Sequence, residues 1–247
     1  MSEVAIILSD LYLAANGSGG VDDRDSAVPK AALPALARIA RFAGVSPLPG
    51  DWRAWLAGWL GRGDLAAACD ATPAAVAAAA LTATDTLPAD TGSVWLATPL
   101  HLVAGLTSVH LDYRGLLRLD GATLQTLCRD FDRDFAERGF SLQPLPGGAL
   151  IACGPRFAHR PLTRDPARLL GAGIAGSTIQ GAGAAPLLML SAELEMWLHA
   201  HPLNAARARR REAPLTTLWL WGGGEPMAAA HAAPPLPTAH PDRKSVV

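Results

Sequence analysis

Apolar residues recur with two different periods between Leu187 and Gly224, and the change of period divides that stretch into elements. Leu187, Leu190, Leu194, Trp197 and Leu198 share one helical face with His201, so an amphipathic helix with an inward stripe is expected up to His201. Pro202 has no backbone donor, and its ring clashes with the carbonyl four residues back, so the helix should stop or kink there. Proline suits the first position of a second, short helix. That helix carries Asn204 and Arg207 and ends in Arg209, Arg210 and Arg211, cations facing the negative end of its dipole. From Leu215 to Trp221 β-branched and aromatic residues mix as in a strand, and Gly222, Gly223 and Gly224 are expected to stop it.

The same reading extends over the rest of the chain. Val4 to Leu8 is a short apolar run of the kind that forms a buried strand, with Asp10 just past its tip. Pro29 to Leu60 and Asp64 to Thr82 are alanine-rich and helical in pattern. Trp52, Trp55 and Trp59 form one stripe there, read as core packing rather than a platform for stacking bases. Val94 to Leu96 is strand-like. Val109 to Leu111 and Leu116 to Leu119 are expected to form a hairpin about Asp112 to Gly115. Asp120 should cap a helix from Ala122 to Arg138, with Leu124, Leu127, Phe131 and Phe135 inward and Arg129, Asp130, Arg133 and Asp134 on a solvated face. Phe140 to Leu145 and Ala149 to Cys153, split by Pro146-Gly147-Gly148, give a second hairpin. These pieces describe an α+β, or mixed α/β, fold in which helices pack on a mixed, largely antiparallel sheet. Residues 1–90 hold a strand and Ala/Trp-rich helices, residues 93–224 an α+β domain, and residues 225–247 a Pro- and Ala-rich tail expected to be disordered.

Composition narrows the function classes. Half of the 247 residues are hydrophobic, ample for a packed core. The formal net charge of -1 provides no global attraction to nucleic acid or anionic membrane. The Arg207 to Arg211 cluster lacks a nucleic-acid motif and reads as a solvated helix end. Cys69, Cys128 and Cys153 are not spaced as metal pairs and read as reduced thiols; with no signal peptide or membrane span evident, a cytoplasmic location is expected. Gly171, Gly173 and Gly176 spell a dinucleotide fingerprint without the preceding strand that it requires.

The His-Pro-x-Asn-x-x-Arg element of His201 to Arg207 and the Leu-Trp-Leu-Trp-Gly-Gly-Gly run of Leu218 to Gly224 resemble the RpfE-type regulatory protein family, also labelled phosphoglycerate-mutase-like. The resemblance extends to Glu193-x-Glu195-x-x-Leu198-His199-x-His201 and to Trp95 to Leu102, and covers roughly the last 60 per cent of the chain. The family usually carries aspartate where Thr98 stands and Asn-Ser where Thr216-Thr217 stands. The same blocks resemble the cap domain of archaeal-type cofactor-independent phosphoglycerate mutases, so residues 93–224 are expected to be cap-like. In those enzymes the cap closes over a core that holds a nucleophile and two metal ions, and the cap alone does not perform the chemistry. In this chain Asp10 is the one candidate resembling a first metal ligand, and beyond Gly224 there are His231, His240 and Asp242.

The resemblance therefore implies a non-enzymatic, regulatory-type protein without a cofactor. Such a protein would bind a small phosphorylated or carboxylated ligand, or a protein partner, through His201, Asn204, Arg207, Trp219 and Trp221. A helix opening at Pro202 offers backbone N–H groups to an anion, and Arg207 adds a fork of donors. Alternatively, His201 and Asn204 satisfy buried backbone groups at the kink while Trp219 and Trp221 pack in a strand. A metal-dependent phosphoryl transferase, using Mn or Mg with Asp10 and His101, His110, His199 or His201, is the other functional alternative.

Overall fold

The computed structural model describes residues 52–59, 63, 72–81, 87–88, 90–106, 108–145, 148–170, 173–174 and 178–226. The expected Val4 to Leu8 strand, Asp10, Cys69, most of the N-terminal helical stretches and the tail beyond residue 226 lie outside them. Within them the chain runs α1 (Trp52–Trp59), α2 (Pro73–Leu81), β1 (Ser93–Ala104), β2 (Val109–Leu116), α3 (Gly121–Phe135), β3 (Ser141–Pro144), β4 (Leu150–Gly154), β5 (Gly173–Ile174), α4 (Ala184–Ala200), α5 (Pro202–Arg209) and β6 (Thr217–Gly224). Five α-helices thus accompany a six-stranded sheet, an α+β arrangement in which every strand pair is antiparallel.

Strand β1 is the hub. It pairs with β4 over Ser93 to Ala97, with β6 over Val94 to Leu100 and with β2 over Leu100 to Ala104, while β3 and β5 extend the sheet from β4 and β2. Successive side chains of a strand point to opposite faces, and both faces are covered here. Trp95, Ala97, Leu150, Ala152, Leu218 and Leu220 join Leu127 and Phe131 of α3 and Leu187, Leu190, Leu194 and Leu198 of α4 in the main core. Val94, Ile151 and Cys153 meet Ala74, Ala75, Ala78 and Leu81 of α2 on the other face. Double-sided burial explains why β1 and β4 read as nearly continuous apolar runs.

Four local expectations are changed. Asp112 to Gly115 do not turn the chain; β2 passes through them. Leu100 pairs with Leu116 and Leu102 with Leu111, so the excess residues of β2 form an irregularity in the ladder, and the β1–β2 turn instead closes where the Gly105 amide bonds the Ser108 carbonyl. Gly222 to Gly224 do not end β6. They carry it through a second register shift opposite Val94 and Leu96, with Gly222 at φ 63° and Gly223 against the Trp95 ring, where a Cβ has no room. Trp52, Trp55 and Trp59 do share a face, but each is more than two-fifths exposed and Ala57 is the buried residue of α1. Spacing fixes which residues share a face without deciding which face packs inward. Finally, Asp130 is turned inward and only 7% exposed, although Arg129, Arg133 and Asp134 beside it are exposed as expected.

Candidate functional site

The residues singled out in the sequence separate into two places. The first is the junction of α4 and α5. His201 has φ -71° and ψ 132°, an extended conformation that ends α4, and Pro202 starts α5. The His201 ring then caps α5, its Nδ1 accepting from the Leu203 amide at 3.2 Å. Its Nε2 lies 3.4 Å from Asp130 Oδ2 and has no hydrogen-bond partner, and the ring meets Trp197 edge-on. Burial pushes the imidazole pKa below its usual value, against the pull of the Asp130 and Asp134 carboxylates.

Asn204 bridges three backbone groups. Its Nδ2 donates to the Leu198 carbonyl at 2.8 Å and the Leu215 carbonyl at 2.9 Å, and its Oδ1 accepts from the Leu215 amide at 2.8 Å. Arg207, buried, donates through Nε to the Ala213 carbonyl at 2.7 Å and pairs with Glu212 at 3.1 Å. The donors and acceptors of Asn204, together with the Arg207 Nε, are thus engaged in tying the segment Ala213 to Leu215 to α4 and α5. This fixes where β6 begins.

The second place is the cavity beside the far end of β6, about 460 Å³ in volume. Arg160, Arg164, Asp165 and Arg168 line one side, and Trp221, Gly222 and Gly223 another. The loop carrying the arginines is bound to β6 twice: Trp219 Nε1 donates to the Arg164 carbonyl at 2.8 Å, and the Gly222 amide donates to Thr163 Oγ1 at 2.9 Å. Asp165 caps the short 3₁₀ turn Pro166–Leu169 by accepting from the Ala167 amide, and also takes the Arg53 guanidinium at 3.2 Å. That guanidinium stands 5.1 Å from the Trp221 ring centre. Trp221 donates through Nε1 to Thr98 Oγ1 at 2.8 Å, so the threonine standing where the resembled family has aspartate serves as its acceptor. Thr216 accepts from the Leu102 amide and donates to the Leu100 carbonyl.

Trp221 therefore belongs to the cavity, Trp219 holds the cavity's loop, and His201, Asn204 and Arg207 belong to the helix junction. The hydrophobic pattern does not single out the segment Arg160 to Arg168; its signal is three arginines at every fourth position, Arg160, Arg164 and Arg168, without a helical apolar pattern to organise them. Guanidinium groups are planar forks suited to carboxylate and phosphate oxygens, and a concave wall of them gathers an anion's charge into a small volume.

The histidines expected for a metal alternative do not converge. His101 Nδ1 is 3.0 Å from the Pro214 carbonyl, His110 Nε2 is 2.8 Å from Ser108 Oγ, and His199 is exposed on α4. Among the described residues no group of three or more His, Cys, Asp or Glu residues is arranged to hold a metal ion, so they do not supply the two-metal ligand set of a phosphoryl transferase. The Cys128 and Cys153 thiols are buried, which pushes their pKa values up to about 12 and about 11 and keeps them protonated and unreactive at neutral pH. Among the described residues no helix is long and apolar enough to cross a membrane.

No protein-family model and no curated protein matches the chain. Among solved structures the chain is similar to the cofactor-independent phosphoglycerate mutase from Thermoplasma acidophilum DSM 1728, at a TM-score of 0.38 and 16% identity, over 63% of this chain and 42% of that one. The chain thus spans less than half the length of that enzyme.

Proposed function

We propose that the protein is a non-enzymatic, regulatory-type binding protein that takes a small phosphorylated or carboxylated ligand in the cavity beside Trp221. The observation that carries this reading is the arrangement of Arg160, Arg164 and Arg168 along one side of an open space of about 460 Å³, the size of a small-molecule site. The regulatory character rests on the RpfE-type resemblance of His201 to Arg207 and Leu218 to Gly224.

Thermal unfolding with 3-phosphoglycerate and with inorganic phosphate, each with and without manganese, tests the reading. A ligand that binds only the folded state raises the midpoint by mass action. A saturable rise independent of manganese is expected. A rise that requires manganese would favour the metal-dependent phosphoryl transferase instead, and no rise in any condition would overturn the anion site.

A further inference from the structure

The helix junction holds a buried titratable group whose hydrogen bonding allows only one protonation state. His201 Nδ1 accepts the Leu203 amide, so Nδ1 must carry its lone pair and, in neutral imidazole, the ring proton sits on Nε2. The Nε2 side faces Asp130 Oδ2 at 3.4 Å, which favours that tautomer. A second proton can enter only at Nδ1. There it would confront the Leu203 N–H, donor against donor, and remove the N-cap of α5.

The consequence travels along named contacts. α5 carries Asn204 and Arg207, which hold the Ala213 and Leu215 backbone four and two residues ahead of β6, and β6 carries Trp219 and Trp221 to the cavity. We propose that His201 is a proton-sensitive latch: uptake of one proton from solvent at Nδ1 uncaps α5 and loosens the Ala213–Leu215 anchor of β6.

The groups that face the ring are few. From α3 come the Asp130 and Asp134 carboxylates and the Arg133 guanidinium; from α4 comes the neutral Trp197 ring; from α5 comes the Leu203 amide. Asp134 is held down to about 2, first by the Arg133 hydrogen bond and then by that of Trp197, so it stays ionised throughout the range in which His201 titrates. Burial outweighs the two carboxylates and lowers the folded-state pKa of His201 below 6.5. A base with a depressed folded-state pKa gives stability that is fully present above its unfolded value. That stability is lost as pH falls from about 6.5 towards the folded value, because the unfolded chain then binds the extra proton.

Two measurements on the full chain test the latch. Nitrogen-15 NMR of the imidazole at pH 7.5 is expected to find the proton on Nε2 and the lone pair on Nδ1; a proton on Nδ1 overturns the proposal. Thermal unfolding at pH 7.5 and pH 5.5 is then compared between the native chain and His201→Asn, which retains a good cap but cannot titrate. The native chain should lose more of its midpoint on acidification than the variant does, with an unfolding constant that rises by at most about tenfold per pH unit for one proton. An equal loss in the two proteins overturns the latch, and the NMR result stands even if the variant fails to fold.

Discussion

The α4–α5 junction and the cavity beside Trp221 both gather polar side chains at the ends of one strand, β6, but they use them differently. At the junction Asn204 and Arg207 are aimed at backbone groups a few residues away, which leaves little hydrogen-bonding capacity for a ligand. In the cavity the loop is held by two bonds, each between one side chain and one backbone group, from Trp219 to the Arg164 carbonyl and from the Gly222 amide to Thr163, and the exposed Arg164 side chain takes part in neither. A cluster of polar residues is thus a poor guide to a binding site until its partners have been counted. A helix break creates backbone groups that must be paired, and the nearest polar side chains pair them.

The contrast predicts an ordered series of effects. Asn204→Ala should be the most damaging, because it leaves the Leu215 carbonyl and amide without their partner and takes from the Leu198 carbonyl one of its two donors, the His201 amide being the other. With about 1–3 kcal/mol for each buried group left unsatisfied, a loss of about 2 kcal/mol or more is expected in chemical denaturation. Arg207→Ala should cost less, about 1–3 kcal/mol, since one hydrogen bond to the Ala213 carbonyl and an ion pair with the partly exposed Glu212 are lost. Arg164→Ala should change stability least, by about 0.5 kcal/mol or less, because Trp219 bonds the backbone carbonyl, which the substitution keeps, and the side chain is exposed. If Arg164→Ala proved as destabilising as Asn204→Ala, the division between a structural junction and an open site would fail.

Much of the fold was legible in the sequence because its signals were local. The Leu187 to Leu198 stripe, the Pro202 break, the Asp120 cap and the antiparallel pairing of β3 with β4 each follow from a few neighbouring residues, while Pro146 and Gly147 between those strands lie outside the described residues. What was not legible depended on partners distant in sequence. Asp130 is buried facing His201, seventy-one positions away, against the solvated pattern of its neighbours. The triple glycine continues as strand because β1 lies beside it and the Trp95 ring occupies the space that side chains would need. The arginines come beside Trp221 through contacts distant in sequence, since β6 bonds Thr163 and Arg164 from more than fifty residues away and Leu162 bridges to Gln180.

The most direct measurement is calorimetric titration of 3-phosphoglycerate into Arg164→Ala and Arg207→Ala beside the native chain, at a temperature where all three are folded. The account predicts that Arg164→Ala loses most of the affinity and that Arg207→Ala, though less stable, binds as the native chain does. Binding lost in Arg207→Ala but kept in Arg164→Ala would contradict it and move the site to the helix junction.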